Sequence, residues 1–190
     1  MLTQHTYFNL DAYKNPATNL IWDHTLHMPY AKRYLAIDSS ALPTGKILTA
    51  DPGSVNDFAS KPGITLGHAR SSAQFKGNCG GGCDGYNGFW IFDAVPSDDA
   101  VVLSLASPWS GVKADLRTNQ AGVVLYSCAW SDGSANLKGT QGTASKKKVD
   151  KSSCIAIEAQ DYVDGINQSV ICQTRSDHNL AGVAVNGKRS

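Results

Sequence analysis

The feature that most constrains this chain is a succession of short apolar runs, separated by turn residues at fairly even spacing. The runs alternate apolar with polar residues or are fully apolar, and amphipathic helix periodicity is nearly absent. Clear examples are KRYLAID, GITLGHA, GFWIFDAV, AVVLSLASP, GVKADLRT, GVVLYSCAW, SCIAIEAQ and AGVAVNG. Turn sequences such as LPTGK and SPWSG lie between them. This pattern predicts an all-β fold, an antiparallel β-sandwich with almost no helix.

Length, composition and charge limit the number of domains and the classes of binding partner. The 190 residues, 42% hydrophobic and 17% charged, suit a single domain spanning 1–190. A net charge of +1 gives no reason to expect a nucleic acid or an anionic membrane as partner. The basic run Lys146–Lys148 follows a small polar stretch and is interpreted as a solvated loop. No apolar run approaches the roughly 18 residues of a membrane span, and we expect no signal peptide within the chain.

The cysteines bear on redox environment and on metal binding. They are Cys79, Cys83, Cys128, Cys154 and Cys172. We predict that the first two lie close together on a glycine-rich loop and that Cys128 and Cys154 sit on strands, where they would flank the site. Disulfides, together with the glycosylation pattern at Asn167, favour secretion over a cytoplasmic location. No second ligand pair at zinc spacing accompanies NCGGGC, so no metal is expected.

Three further patterns argue against a metal site, a nucleotide site and an α/β-hydrolase nucleophile. His24 and His27 are three residues apart in a predicted strand, so they point to opposite faces and cannot chelate together. The segment GNCGGGCDG lacks the Lys-Ser/Thr that completes a phosphate-binding loop, and PWSG is not the nucleophile motif of the α/β-hydrolases.

The segment SCIAIEAQ has two chemically different faces. With a period of two residues, Ile155, Ile157 and Ala159 share one face, which predicts that they pack in a core. Glu158 lies on the opposite face between small residues. It is either a solvent-facing strand residue or a carboxylate that lines a concave, ligand-binding sheet.

The remaining polar and aromatic residues suit a sugar ligand. They are His5, Tyr7, Asn87, Trp90, Tyr126, Glu158 and Gln160. Sugar hydroxyl groups need hydrogen-bond donors and acceptors, and the C–H face of a sugar ring packs on aromatic rings.

Several of these segments resemble one known family. QHTYFNLD resembles the Asn-His-Thr-Tyr-Phe/Trp-Asn-Leu segment of the aldose 1-epimerases, and DHTLHMPYAKRYLAIDSSALPTGKIL resembles the strand pair that follows it. GCDGYNGFW matches the position where the family has Gly-Tyr/Phe-Asp, and GVVLYSC matches a family strand that ends in Tyr. CIAIEAQDYVDGIN resembles the family's Glu-x-Gln segment. Order and spacing agree from about residue 2 to residue 168, and NCGGGC and ASPWSG resemble the fungal branch.

The resemblance implies a galactose mutarotase-type β-sandwich, an activity and a set of site residues. The family interconverts the α and β anomers of free aldoses, here of the glucose or galactose class, by acid–base opening and closing of the ring. Glu158 matches the general base and His5 the general acid, while Asn87 occupies the position of a hydroxyl-binding carboxylate. No cofactor is implied, because the reaction involves neither a redox change nor hydrolysis.

The resemblance also predicts that this chain is the C-terminal portion of the fold. Family members carry a large β segment before the His-Thr-Tyr strand, and it contributes a second histidine and an arginine to the site. Alternatives to an active isomerase are therefore a non-catalytic carbohydrate-binding protein and an inactive fragment of the family. The preferred aldose and the oligomeric state do not follow from the sequence.

Overall fold

The computed structural model describes residues 3–165 and 182–186, and β-strands supply nearly all the regular structure of these ranges. The strands are β1 (Tyr7–Phe8), β2 (Thr25–His27), β3 (Arg33–Ile37), β4 (Pro43–Thr49), β5 (Asn87–Ile91), β6 (Leu103–Ala106), β7 (Lys113–Arg117), β8 (Gly122–Tyr126), β9 (Ile155–Gln160) and β10 (Gly182–Asn186). A 3₁₀ turn at Ala73–Phe75 is the one helical element within them. Within the same ranges, no helix has the length and apolar character needed to cross a membrane.

The strands form two antiparallel sheets. The larger, six-stranded sheet has the order β1-β9-β8-β5-β3-β4, and the smaller, four-stranded sheet has the order β10-β7-β6-β2. Each neighbouring pair is antiparallel. The predicted antiparallel β-sandwich is confirmed.

The alternation of β9 separates a core from a second surface. Ile155 and Ile157 are 0% and 6% exposed and pack with Leu125 of β8 and Leu105 of β6 in the main hydrophobic core. Burying one such side chain fully contributes about 1.5–3 kcal/mol. Glu158 points to the other side of the sheet. We call the side packed on the smaller sheet the core face, and the opposite side of the larger sheet the open face.

Trp90 belongs to the core face, although the sequence grouped it with the sugar-contacting residues. In β5, Asn87 lies opposite Tyr126 of β8, so the two share the open face. Trp90 is three residues further along the same strand and therefore points the other way. It is 1% exposed, and its Nε1 donates a hydrogen bond to the Asn56 carbonyl oxygen at 3.0 Å.

Two disulfides form within residues 3–165. Cys79 and Cys83 are bonded within the glycine-rich loop with a Cα–Cα distance of 5.2 Å, and Cys128 and Cys154 are bonded at 5.5 Å. The prediction that Cys128 and Cys154 sit on strands is wrong, because Cys128 lies beyond the end of β8 and Cys154 just before β9. A left-handed φ of 51° at Cys128 turns the chain there. Cys172 and Asn167 lie outside the described residues.

His24 is also placed differently from the prediction. It lies in the turn before β2 rather than in one strand with His27. Its ring is 1% exposed, and Nε2 accepts a hydrogen bond from the Leu10 backbone N–H at 3.0 Å. Burial lowers the pKa of His24, so this side chain holds the turn as a neutral acceptor.

Candidate functional site

Strand register brings His5 and Glu158 together on the open face. β1 pairs antiparallel with β9, with Tyr7 opposite Ala156. Continuing this register by two residues places His5 opposite Glu158. His5 Nε2 lies 3.1 Å from Glu158 Oε1. Two residues far apart in the sequence therefore lie within ion-pairing distance, the predicted acid beside the predicted base.

The two members of the pair differ in burial. The Glu158 side chain is 11% exposed, whereas that of His5 is 51% exposed. Burial raises the pKa of Glu158, and the charge of His5 opposes this only in part. A carboxyl group with a raised pKa holds a proton at less acidic pH, which suits a group that must both take and return a proton. The exposed imidazole leaves the pair open to a ligand.

Three aromatic side chains extend from the pair along the open face. The Tyr7 ring lies 4.9 Å from the His5 ring, and the Tyr126 ring lies 6.5 Å from Tyr7. The Trp130 ring stacks on Tyr126 with 5.5 Å between centroids and 25° between planes. Partial burial, with smaller effects of Tyr126 and Glu158, raises the pKa of Tyr7. The Tyr7 hydroxyl therefore stays protonated at neutral pH and can donate a hydrogen bond.

These rings border a cavity of about 610 Å³, which we call the aromatic cavity. It is lined by Thr6, Tyr7, Tyr13, Tyr126, Trp130, Ser131, Ala135, Asn136, Leu137, Lys138, Gln141, Val149 and Cys154. The Cys128–Cys154 disulfide therefore lies at its border. The aromatic cavity begins beside His5 and Glu158 but does not contain them.

Asn87 lies on the open face but apart from the pair. β8 separates β5 from β9, so Asn87 and Glu158 are two strand spacings apart, about 10 Å laterally. β3 pairs with β5 only at Arg33–Ile91 and Tyr34–Trp90, and the sheet opens beyond that point. Asn87 lines the resulting cavity of about 200 Å³. The structure thus joins His5 to Glu158 and leaves Asn87 in a separate recess.

Sequence reasoning missed Trp130 and the polar loop that faces it. Trp130 is 54% exposed and lies beyond the end of β8, after the turn at Cys128. Alternation cannot place a side chain once the strand has ended. The available signal was composition, because Trp130 follows the aromatic Tyr126 closely in the sequence. Gln160, the last residue of β9, shares the face of Glu158 by alternation.

Comparison with known proteins places this chain in a family. A profile of the aldose 1-epimerase family matches residues 1–175. A probable aldose 1-epimerase of Arthroderma benhamiae is 30% identical over 188 residues, covering 88% of this chain and 41% of that protein. Epimerase FSL3 of Gibberella zeae is 28% identical over 190 residues, covering 87% of this chain and 42% of that protein. The chain spans less than half the length of these two relatives.

Solved structures show the same fold. A GalM/aldose epimerase homologue from C. elegans matches with a TM-score of 0.60 and 21% identity, over 83% of this chain and 40% of that one. Galactose 1-epimerase from Lactobacillus acidophilus matches with a TM-score of 0.57 and 21% identity, over 84% of this chain and 39% of that one. Because the family profile covers most of its length, this chain belongs to the aldose 1-epimerase family.

Proposed function

We propose that this chain interconverts the α and β anomers of a free aldose, with Glu158 as general base and His5 as general acid. The observation that carries the proposal is the 3.1 Å contact between His5 Nε2 and Glu158 Oε1 on the open face. Family membership supports the reaction class. The chain spans 41% of its Arthroderma relative, so activity of this chain by itself is part of the proposal.

Ring opening needs one proton removed and one proton supplied. The Glu158 carboxylate takes the proton of the C1 hydroxyl as the C1–O5 bond breaks and its electron pair moves to O5. The protonated imidazole of His5 gives its Nε2 proton to O5. The products are an open-chain aldehyde, a neutral Glu158 and a neutral His5.

Ring closure reverses these transfers after rotation about the C1–C2 bond. The O5 hydroxyl attacks C1 from the other side and gives its proton to His5, while Glu158 returns its proton to the carbonyl oxygen. Both side chains end in their starting states, and the sugar has changed anomer. The balance requires no oxidant, reductant or water, so the proposed reaction needs no cofactor.

The substrate is proposed to be an aldose of the glucose or galactose class. Tyr7 lies beside His5 and presents a ring to the C–H face of a sugar and a hydroxyl to its oxygens. Asn87, two strands away from Glu158, is proposed to contact a hydroxyl group remote from the anomeric carbon. We propose no nucleic-acid or membrane partner.

Polarimetry of freshly dissolved α-D-glucose and α-D-galactose tests the proposal. The wild-type chain should accelerate mutarotation above the buffer rate, and Glu158→Gln should reduce that acceleration by about 10² to 10⁴-fold because it removes the base. Asp51→Asn is the matched control, since Asp51 is an exposed carboxylate away from the open-face pair. It should retain wild-type activity.

Two results would count against this assignment. Equal acceleration by wild type and Glu158→Gln would remove Glu158 from the chemistry. A wild-type rate no higher than that of buffer would leave the chain without the proposed activity. Thermal melts of each variant establish that the fold is intact.

Binding without turnover is the second candidate, and the exposed rings favour it. Tyr7 and Trp130 are 52% and 54% exposed beside a cavity that does not contain the acid–base pair. Such a platform binds sugar whether or not protons are transferred. Quenching of tryptophan fluorescence by sugar, with no acceleration of mutarotation, would favour this candidate.

A further inference from the structure

We infer that the recess between β3 and β5 binds a neutral secondary amide group, either the acyl-amino group of a substituted aldose or the peptide group of a short peptide. This recess has a volume of about 200 Å³ and is lined in part by Asn87. Binding there goes beyond the proposed function, because it does not require proton transfer by His5 and Glu158. The inference is carried by the direction of the backbone groups, the amide side chains and the neutral lining.

The backbone of β5 directs alternate residues towards β8 and towards β3. The Ser127 N–H donates to the Tyr86 carbonyl at 2.9 Å, in the register that continues the pairing of β5 with β8. Because the direction alternates along an antiparallel strand, the next residue faces the opposite way. The N–H and C=O groups of Asn87 therefore point towards β3.

The backbone of β3 directs its own groups to the same gap. The Ala50 N–H donates to the Lys32 carbonyl at 2.8 Å, and the Asp38 N–H donates to the Leu42 carbonyl at 2.9 Å. Residues 32 and 38 thus face β4 at the two ends of this strand, on either side of its bulge. The N–H and C=O groups of Ile37, next to Asp38, therefore point towards β5.

The two backbone edges face each other with no ladder between them. In the described part of the chain, the pairing of β3 with β5 ends at Tyr34–Trp90, so Ile37 and Asn87 have no ladder partner across the gap. Half-buried N–H and C=O groups of this kind need a hydrogen-bond partner. A trans secondary amide points its N–H and its C=O in opposite directions, so one such group can bond to both edges, as a residue of a central strand does.

Two amide side chains add a donor and an acceptor to the recess. Asn78 Nδ2 donates to Asn56 Oδ1 at 3.2 Å and to the Gly85 carbonyl at 2.9 Å. These bonds leave Asn78 Oδ1 as an acceptor and Asn56 Nδ2 as a donor for a ligand. Asn56 is only 5% exposed, and its backbone carbonyl also accepts the hydrogen bond from Trp90. The donor is thus held in place before binding, which reduces the ordering cost.

The lining is neutral and the volume is small, and both properties favour an uncharged functional group. Among the described residues that line the recess, none carries a carboxylate, ammonium or guanidinium group. Burying an anionic group without an opposite charge is costly, whereas Ile37 and Leu48 suit the carbon atoms next to an amide. A volume of about 200 Å³ is below the roughly 300–1,000 Å³ of a typical ligand pocket, so the recess takes one group of a larger ligand.

Asn87 connects this recess with the open face. Its side chain stands on the open face, whereas its backbone groups lie in the plane of the sheet and point into the recess. An acyl-amino group at the end of an aldose remote from the anomeric carbon therefore enters the recess from the open face. A peptide group offers the same donor and acceptor, so the two sources must be distinguished by experiment.

Amide NMR spectra of the full chain, titrated with N-methylacetamide, test the inference. The probe should shift the backbone resonances of Ile37 and Asn87 and leave that of Leu105, in the core, unchanged. Methyl acetate has an oxygen atom in place of the N–H group, so it leaves a carbonyl oxygen of the recess unpaired. It should bind about tenfold more weakly than the amide.

A variant that fills the recess provides the second readout. Ala36 lines the recess, so Ala36→Leu should weaken N-methylacetamide binding by about tenfold or more. Ala144→Leu is the matched control, because Ala144 is exposed and lies outside the recess, and it should bind as wild type does. The wild-type shifts locate the probe even if Ala36→Leu does not fold. Absence of shifts at Ile37 and Asn87, equal affinity for amide and ester, or undiminished binding by folded Ala36→Leu would overturn the inference.

Two larger ligands identify the source of the amide group. Tighter binding of 6-acetamido-6-deoxy-D-galactose than of 6-O-acetyl-D-galactose, with shifts at Ile37, would assign a sugar. Tighter binding of N-acetylglycine N-methylamide than of N-methylacetamide, with the same shifts, would assign a peptide. Polarimetry of galactose separates the inference from the proposed function. Amide binding without accelerated mutarotation would support the recess and count against the proposed function, whereas acceleration without amide binding would overturn the recess alone.

Discussion

The two faces of the six-stranded sheet carry aromatic clusters of similar composition and opposite environment. On the core face, Phe58, Tyr86 and Trp90 are 0%, 0% and 1% exposed, and the Tyr86 ring lies 5.2 Å from Phe58 and 6.2 Å from Trp90. On the open face, Tyr7 and Trp130 are about half exposed. Tyr7 and Trp130 therefore have ring area free to contact a ligand, whereas the three core-face rings do not.

The polar atoms of the two clusters differ in the same way. The Tyr86 hydroxyl donates to the Leu66 carbonyl at 2.9 Å, and burial raises its pKa. Trp90 Nε1 is similarly bonded within the core. The core-face rings thus contribute their area to folding. Tyr7 and Trp130 retain much of their area for a ligand, so changes at these rings and at the core-face rings should affect different measurements.

The largest expected effect is the difference in stability between tryptophan-to-alanine variants on the two faces. Trp90→Ala should lower the free energy of unfolding by about 3–5 kcal/mol, because it removes a fully buried ring. Trp130→Ala should change it by no more than about 0.5 kcal/mol, because the ring is half exposed. Urea denaturation followed by circular dichroism measures both. If Trp90→Ala does not fold, Trp90→Phe can be compared with Trp130→Ala instead. A loss of unfolding free energy in the Trp90 variant no larger than that in Trp130→Ala would contradict the comparison.

The next largest expected effect is the difference between the two disulfides in their contribution to stability. Cys128 and Cys154 are separated by 26 residues and Cys79 and Cys83 by 4. Loop-closure entropy then predicts a loss of about 3.5 kcal/mol for the Cys128→Ser/Cys154→Ser variant and about 2 kcal/mol for Cys79→Ser/Cys83→Ser. The first bridge also borders the aromatic cavity, so its removal should weaken the quenching of tryptophan fluorescence by sugar, whereas removal of the second should not. Equal effects on binding would show that the bridge does not support the cavity.

The smallest expected effect is a pH-dependent difference between two carboxylates. Burial raises the pKa of Glu158 above 4.5, so between that value and its folded pKa the native state holds more protons than the unfolded state. Its contribution to stability therefore falls as pH rises through this window. The melting temperature of Glu158→Gln relative to wild type should increase over the same rise in pH.

Asp57 is the control with the opposite sign. Burial acts to raise its pKa, but hydrogen bonds from Ser60, Gly53 and Ala59 lower it below 3.8 overall. Its stabilising contribution is present above that value and is lost as pH falls through the folded pKa. The deficit of Asp57→Asn relative to wild type should therefore shrink on acidification. The melting-temperature difference from wild type is measured for each variant as a function of pH. The same pH dependence for both variants would contradict the assigned environments.

Much of the fold could be predicted from the alternation of apolar and polar residues along each strand. In β9 the period of two correctly assigns Ile155 and Ile157 to the core and Glu158 to the other face, because alternation alone determines the side of a sheet. The same rule separates Asn87 from Trp90, and grouping by composition overlooked it. Cys128 and Trp130 lie past the end of β8, where a left-handed residue breaks the alternation.

The candidate site depends on contacts between distant segments, and periodicity does not encode them. The pairing of β1 with β9 brings His5 to Glu158, and only the family resemblance suggested that these residues meet. The polar wall of the aromatic cavity comes from loop residues such as Asn136 and Lys138, whose position depends on backbone hydrogen bonds to other loops. Sequence reasoning therefore reached the acid–base pair and missed the cavity beside it.

The most direct test of the account is polarimetry of α-D-glucose mutarotation with wild type, His5→Gln, Glu158→Gln and the double variant. If the two side chains act as one acid–base unit, each single variant should lose about 10² to 10⁴-fold of the acceleration. The double variant should then be only slightly less active than the less active of the two single variants. His27→Gln, on the smaller sheet, should retain wild-type activity. Losses that multiply in the double variant, or single variants as active as wild type, would contradict the claim that His5 and Glu158 work as a pair.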